Sequence, residues 1–447
     1  MTYSPHTDAD RAAMLAAVGV STIDELFADI PSEVRASRFD VPVPLTEQEV
    51  RAELTRLAER NQPAAVSFLG AGAYRRLIPA VVDEVVGRAE FATAYTPYQP
   101  EVSQGTLQAI YEFQTMICEL TGMEVASASH YDGATATAEA ALMACRLTGR
   151  HTVAVSRAVH PQVRRVLATY CSGPGVEVIE VSADLAEGGS GLTDVDGAGR
   201  LAGGDVACLI VQQPNVFGGI ESMTALADAV HAAGGLFVTL VDPVSLAVLE
   251  APGRYGADIV TAEGQPLGIP LSFGGPYLGL MAARMDAVRQ LPGRLVGATR
   301  DAEGRRGYVL TLQAREQHIR RERAASNICT NQALCALAAT AYLAAVGPEG
   351  LREVAERSAT QARHLAAALE GAGLGSRRFT ASYLNEVAIR IPDAARRHGV
   401  LVEQGIVAGL PLEREYPELA DVLLLAATEL TTDDDVARLV AGLEAAR

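Results

Sequence analysis

Lysine is missing from this chain. All 37 basic residues among its 447 are arginines. A Schiff base to a lysine of its own, a P-loop phosphate lysine and a lysine general base are therefore excluded. Codon bias toward Ala, Gly and Arg explains exchange at surfaces, but an enzyme needing a lysine nucleophile would not have tolerated it. Positive charge is also short: 37 Lys+Arg stand against 54 Asp+Glu, a formal charge of −17. That argues against nucleic acid or an anionic membrane as the main partner. The six cysteines form no C-x-x-C pair and have no zinc-ligand spacing, so no metal is expected and they read as buried free thiols of a reducing compartment. The most apolar stretch, 333–347, is interrupted by Thr340 and too short to span a bilayer. Asp8 and Asp10 precede the only short apolar run near the N-terminus, unlike a secretory signal. A soluble, cytoplasmic protein is expected. H-E-x-x-H, P-loop, G-x-S-x-G and a nucleotide G-x-G-x-x-G after a strand are absent too.

What is present suggests two or three domains. Residues 1–60 read as a helical arm, with Val50, Leu54 and Leu57 at helical spacing. An irregular Gly-, Pro- and Tyr-rich stretch covers 61–100, and a helix over 104–120 is expected to stop at Gly122. From there short apolar runs at 125–129, 152–156, 176–181, 206–212, 236–241, 259–261 and 278–282 alternate with helical patterns. This predicts an α/β fold with a mostly parallel seven-stranded sheet covered on both faces. A large domain is placed at 61–325. A smaller C-terminal α+β domain follows at 326–447, with a helix from 328 to about 346 capped at Ser326-Asn327, more helix from Pro348, a strand at 385–391 and a closing helix at 432–446.

Several groups could carry chemistry. His130 and the turn Gly133-Ala134-Thr135 follow a strand and open a helix, where small residues let N–H groups approach an anion; a tight turn kept small for packing is the plainer reading. Asp242 ends a strand and could meet a ring nitrogen, or cap the turn before Pro243. Tyr95, Tyr98, Gln99 and Glu101 form a polar aromatic loop, able to orient a carboxylate or phosphate, or simply a surface loop. Arg315, His318, Arg320, Arg321 and Arg323 make a basic cluster, with Glu316 and Glu322 available to pair with it. His160 reads as a helix cap or a core histidine.

Four strings carry a resemblance. The segments 95–105 (YTPYQPEVSQG), 292–297 (PGRLVG), 315–321 (REQHIRR) and 326–330 (SNICT) resemble the glycine cleavage system P-protein family over nearly the whole chain. Its length resembles the alpha subunit, subunit 1, of the two-subunit form. The resemblance implies an aminotransferase-like fold, that of the pyridoxal-phosphate fold type I enzymes. It implies an α2β2 assembly in which subunit 2 holds pyridoxal phosphate covalently, decarboxylates glycine and passes the aminomethyl group to the lipoyl arm of H-protein. In that architecture the Schiff-base lysine follows the strand at 259–261, where this chain offers Glu263 and Gln265. His130, Gly133, Ala134, Thr135 and Asp242 would then be remnants of a cofactor site. Tyr95, Tyr98, Gln99, Glu101 and Arg323 would reach toward the partner's active site or the lipoyl entrance. Two other readings stand beside it: a purely structural pseudoenzyme subunit, and a self-sufficient enzyme using Glu263, His130 and Asp242 for acid–base work.

Overall fold

The computed structural model describes residues 5–36, 40–61, 63–199 and 205–447. The chain divides into two units, 1–62 and 63–447. In the first, helices α1 (Asp8–Val18) and α2 (Glu47–Ala58) each open on a reciprocal cap, Thr7 with Asp10 and Thr46 with Glu49. Neither helix buries a residue, so local terms hold them: the caps, and ion pairs such as Arg51–Glu47 along α2. Both helices lie within the residues read as helical, 1–60.

The second unit is built on a seven-stranded sheet. Helix α3 (Gln104–Thr121) leads into it and ends on left-handed Gly122. The strands are β1 (Val125–Ala126), β2 (Thr152–Ser156), β3 (Glu177–Val181), β4 (Val206–Gln213), β5 (Leu236–Val241), β6 (Ile259–Glu263) and β7 (Gly279–Ala283). Their order is β1-β7-β6-β5-β4-β2-β3, with β7 antiparallel to both neighbours and the rest parallel. Helices α4 (Gly133–Thr148), α5 (Pro161–Ser172) and α6 (Met223–Ala232) connect them. The period of two sorts each strand between the faces. Leu209 and Phe237 join Phe113 and Leu226 on one side, while Ile210 and Val238 join Met143 and Leu167 on the other. Each such buried side chain stabilises by about 1.5–3 kcal/mol. β1 is shorter than its apolar run: Ser127 N–H still bonds Met281 O on β7, but Ala128 N–H turns to Arg294 O.

Beyond the sheet, a hairpin of β8 (Val296–Arg300) and β9 (Arg306–Leu310) appears where the sequence pattern signals no strand. Helix α7 (Ala333–Gly371) starts five residues later than expected. Residues before it are tied down by distant side chains: Arg294 donates to Cys329 O and Asn331 Oδ1, and Asn331 donates to Ser129 Oγ. Cys329 is consequently exposed, against the expectation of a buried thiol; Cys118 and Cys335 are half-buried and the other three are buried. α7 is long and apolar enough to cross a membrane. It is nevertheless broken at Gly347 (φ 61°) before Pro348, and its face carrying Ala336, Ala339 and Tyr342 is packed into the sheet's core.

The second half of α7 places Leu365 and Leu369 in a smaller core. That core covers an antiparallel sheet of β10 (Ser376–Arg377), β11 (Glu386–Arg390), β12 (Leu410–Pro411) and β13 (Val422–Ala426), in the order β10-β11-β13-β12. Helices α8 (Ala394–Glu403) and α9 (Asp433–Ala445) complete it. Val66 and Phe68, from before the large sheet, join the same core, so the two cores share α7 and exchange chain segments.

Candidate functional site

A cavity of about 380 Å³ lies at the carboxyl ends of β4, β5 and β6, where ligands bind in open parallel sheets. The start of α4, the start of α5, the loop 71–74 and Asn385–Glu386 close it.

Gly133 opens α4 hard against the end of β6: a Cβ there would come within 2.8 Å of the Glu263 backbone nitrogen. Its N–H donates to Glu263 Oε2 at 2.9 Å. Glu263 Oε1 accepts from Gln265 N–H (3.0 Å) and Leu278 N–H (3.2 Å). Burial outweighs these bonds and pushes the carboxyl up to about 7. Thr135 N–H is taken by Asp132 Oδ1 at 2.8 Å. The first turn of α4 thus already carries two acidic side chains of the chain itself.

Asp242 lines the same cavity. Its Oδ1 accepts from Val244 N–H (3.1 Å), while Oδ2 is out of solvent and unpartnered. Burial raises its pKa, and the charge of Arg76 opposes that. His160 caps α5, Nδ1 accepting from Gln162 N–H at 3.1 Å, and also lines the cavity; burial lowers its pKa. Gln265 is bound on three sides: Oε1 accepts from Tyr74 N–H (2.8 Å), and Nε2 donates to Tyr74 O (3.0 Å) and Ile269 O (2.7 Å). Tyr74 in turn donates from its hydroxyl to Glu386 Oε2 at 2.8 Å.

His130 is elsewhere. Its backbone pairs with Gly279 on β7, and its fully buried ring turns toward Gly293, outside the cavity lining. Burial first, with Arg315 adding, pushes it down to about 4, so it is neutral. Gly133 and Ala134 line the cavity and Thr135 does not.

The other expected residues lie on a different surface. Tyr95 is 82% exposed, and Gln99 and Glu101 are exposed beside it. Tyr98 is half-exposed: the Arg294 guanidinium sits 5.8 Å from its ring and the His318 ring 5.7 Å away, edge-on. Gln104 fastens the base of this loop to the hairpin, donating to Tyr308 O and accepting from Tyr308 N–H, both at 2.9 Å. Tyr95, Thr96 and Pro97 border a cleft of about 190 Å³ with Arg294, Asn331 and Leu334. The basic segment is three single turns instead of one helix. Arg315 is drawn inward to Leu291 O. Arg320 donates to Ala314 O, and Arg323, 81% exposed, lies 3.8 Å from Glu322.

Sequence reasoning missed Arg294, Tyr74, Asn385 and Glu386 as parts of these sites. Arg294 sat inside one of the four resembling strings but showed no role alone. For the others there was no signal.

Pyridoxal phosphate does not fit the residues of this cavity. No lysine is available, Gln265 is clamped after β6, and the Gly133 and Thr135 N–H groups at the start of α4 are taken by carboxylates. The fold itself matches a Burkholderia pseudomallei sphingosine-1-phosphate lyase (16% identity, TM-score 0.67, 94% of each chain) and a Lactobacillus brevis glutamate decarboxylase (13%, 0.68, 94% and 97%). Fold and site together define a chain of the pyridoxal-phosphate fold type I class that does not keep that class's own cofactor site. More particularly, the chain belongs to the glycine cleavage system P-protein family, whose model matches residues 1–443. A solved glycine decarboxylase (P-protein) of the glycine cleavage system, in inhibitor-bound form, covers 100% of both chains at 46% identity and a TM-score of 0.92. The probable glycine dehydrogenase (decarboxylating) subunit 1 of Moorella thermoacetica is 53% identical over 448 residues, 99% of each chain. That of Geobacillus kaustophilus is 50% identical over 445, covering 98% and 97%.

Proposed function

We propose that this chain is the lysine-less subunit of a cytoplasmic two-subunit glycine decarboxylase. It pairs with a subunit 2 in an α2β2 assembly. The partner's lysine holds pyridoxal phosphate, which supplies the electron sink for decarboxylation, and the aminomethyl group goes to the lipoyl arm of H-protein. The observation that carries this is the absence of lysine in a chain that the family model matches over residues 1–443. The relatives' designation as subunit 1 supports a second subunit.

This chain's contribution is the 95–101 loop. Tyr98 is pre-set by Arg294 and His318, and Tyr95, Gln99 and Glu101 stand free to meet a partner surface. Their role is to orient substrate or cofactor phosphate and to exclude water from the partner's site. Arg323, with Arg320, lies outside the buried framework and offers positive charge toward the lipoyl entrance.

The test is glycine–bicarbonate carbon exchange with H-protein and pyridoxal phosphate, using this chain alone, subunit 2 alone and the mixture. Exchange is expected only in the mixture. Exchange by this chain alone would overturn the reading. Within the assembled enzyme, Tyr98→Phe with Gln99→Ala should lower kcat/KM by roughly tenfold, about 1.4 kcal/mol, with assembly intact. Unchanged turnover by that variant would favour a purely structural subunit.

A further inference from the structure

The cavity at the sheet's carboxyl edge is lined by acidic groups. Asp132, Asp242, Glu263 and Glu386 all border it, and among the described residues no arginine does. Arg76, the cation whose charge acts on Asp242, is committed to Glu429 at 2.7 Å. Two polar atoms at the wall have no partner: Asp242 Oδ2, an acceptor, and Asn385 Nδ2, a donor on a residue only 3% exposed. Buried polar groups are seldom left unpaired, so each unpaired one is a place for a partner. Val163, Val166, Leu240 and Pro214 supply apolar wall between them. Among the described residues no three His, Cys, Asp or Glu converge as metal ligands, so the site suits an organic cation better than a metal ion.

We propose that this cavity binds a small primary ammonium compound, its N–H groups on Asp242 Oδ2 and a ligand acceptor atom on Asn385 Nδ2, in place of the phosphate cofactor of the fold. The volume of about 380 Å³ is ample for a few-carbon ligand. Glu263 and Glu386, pushed up to about 7 by burial, are held partly neutral without a cation, and an ammonium ion draws them to the charged form. The same carboxylates exclude anions: a phosphate at the α4 terminus would displace Glu263 from Gly133 N–H and face Asp132. The inference rests on this chain's own cavity and stands apart from the partner's chemistry.

The experiment is calorimetric titration of the full-length chain, without subunit 2, with ethanolammonium chloride, inorganic phosphate and pyridoxal phosphate in turn. Saturable binding of ethanolammonium is expected, with none of phosphate or pyridoxal phosphate. Asp242→Asn, which keeps shape and removes charge, should weaken ethanolammonium by at least roughly tenfold, as expected for a charged hydrogen-bond partner. If that variant does not fold by circular dichroism, Asn385→Leu is read instead and should also weaken binding. No saturable ethanolammonium binding, tighter binding of phosphate or pyridoxal phosphate, or wild-type affinity in the folded variant would each overturn the proposal. Exchange activity of the assembled enzyme bears on none of these outcomes.

Discussion

Arg76→Met should destabilise the chain by about 3–5 kcal/mol, the usual cost of stranding one half of a buried ion pair. The Arg76 side chain is 2% exposed and that of Glu429 7%. Arg76 Nη1 donates to Glu429 Oε2 at 2.7 Å and to Ser358 Oγ at 3.2 Å. Glu429 Oε1 accepts from Leu77 N–H at 2.7 Å, and the guanidinium stands 5.4 Å from the Tyr74 ring. One carboxylate beside α9 thereby holds the strand of chain that carries the 71–74 wall of the cavity. Without Arg76 the Glu429 carboxylate stays buried with only the Leu77 N–H, and Asp242 loses the cation that opposes its raised pKa. The pair as a whole is worth less than either deletion, because its desolvation offsets most of its attraction. Arg76→Met with Glu429→Leu should therefore be more stable than the sum of the single changes predicts. Urea unfolding of the four proteins measures this. A loss below about 1 kcal/mol for the single variant, the range of exposed pairs, would show that the pair does not anchor the wall.

How much of this was legible depends on range. The seven strands were readable because apolar runs of this length and β-branched content admit little else between helical patterns; Val206–Gln213 and Leu236–Val241 are nearly as read. The break at Gly347-Pro348 was readable from the residues alone. The hairpin Val296–Arg300 with Arg306–Leu310 was not, since its strands mix apolar residues with small, polar and charged ones, Arg300 and Arg306 being exposed, and Gln104 from a distant helix binds it at Tyr308. The late start of α7 was hidden for the same reason: Arg294 and Ser129 fix the segment before it, and neither is near it in sequence. The two histidines show the limit most sharply. Both follow a strand, yet Ala128 turns aside to Arg294 and His130 pairs again with Gly279 on β7, its ring toward Gly293, while the chain after β2 delivers His160 to the cavity. Side-chain direction after a strand is set by where pairing stops, a tertiary fact. Glu263 could be named from its place at the end of β6, but that its carboxylate would occupy the N-terminus of α4 required the close approach that Gly133 permits.

Glu386→Gln should stabilise the chain at alkaline pH and do little at acid pH. Glu386 is 6% exposed and accepts from Ala71 N–H at 2.6 Å and Tyr74 O–H at 2.8 Å. Burial still dominates and pushes it up to about 7 from 4.5. The folded chain therefore holds a proton there that the unfolded chain releases. Stability from this group is full below the unfolded value and is lost as pH rises through about 7. The loss approaches about 3 kcal/mol, since each tenfold difference in proton affinity between the folded and unfolded chain is worth about 1.4 kcal/mol. Glutamine cannot titrate, keeps an acceptor for Ala71 N–H, and can donate to the Tyr74 oxygen. Between about pH 5 and about pH 8 the stability difference, variant minus wild type, should rise by about 2–3 kcal/mol. Glu263, raised to about 7 by the same cause, titrates alike in both proteins and cancels to first order. Denaturant melts across that range decide it. A difference independent of pH would mean that Glu386 stays charged on folding, with its two donors fully offsetting its burial, and that the cavity wall is wetter than its geometry indicates.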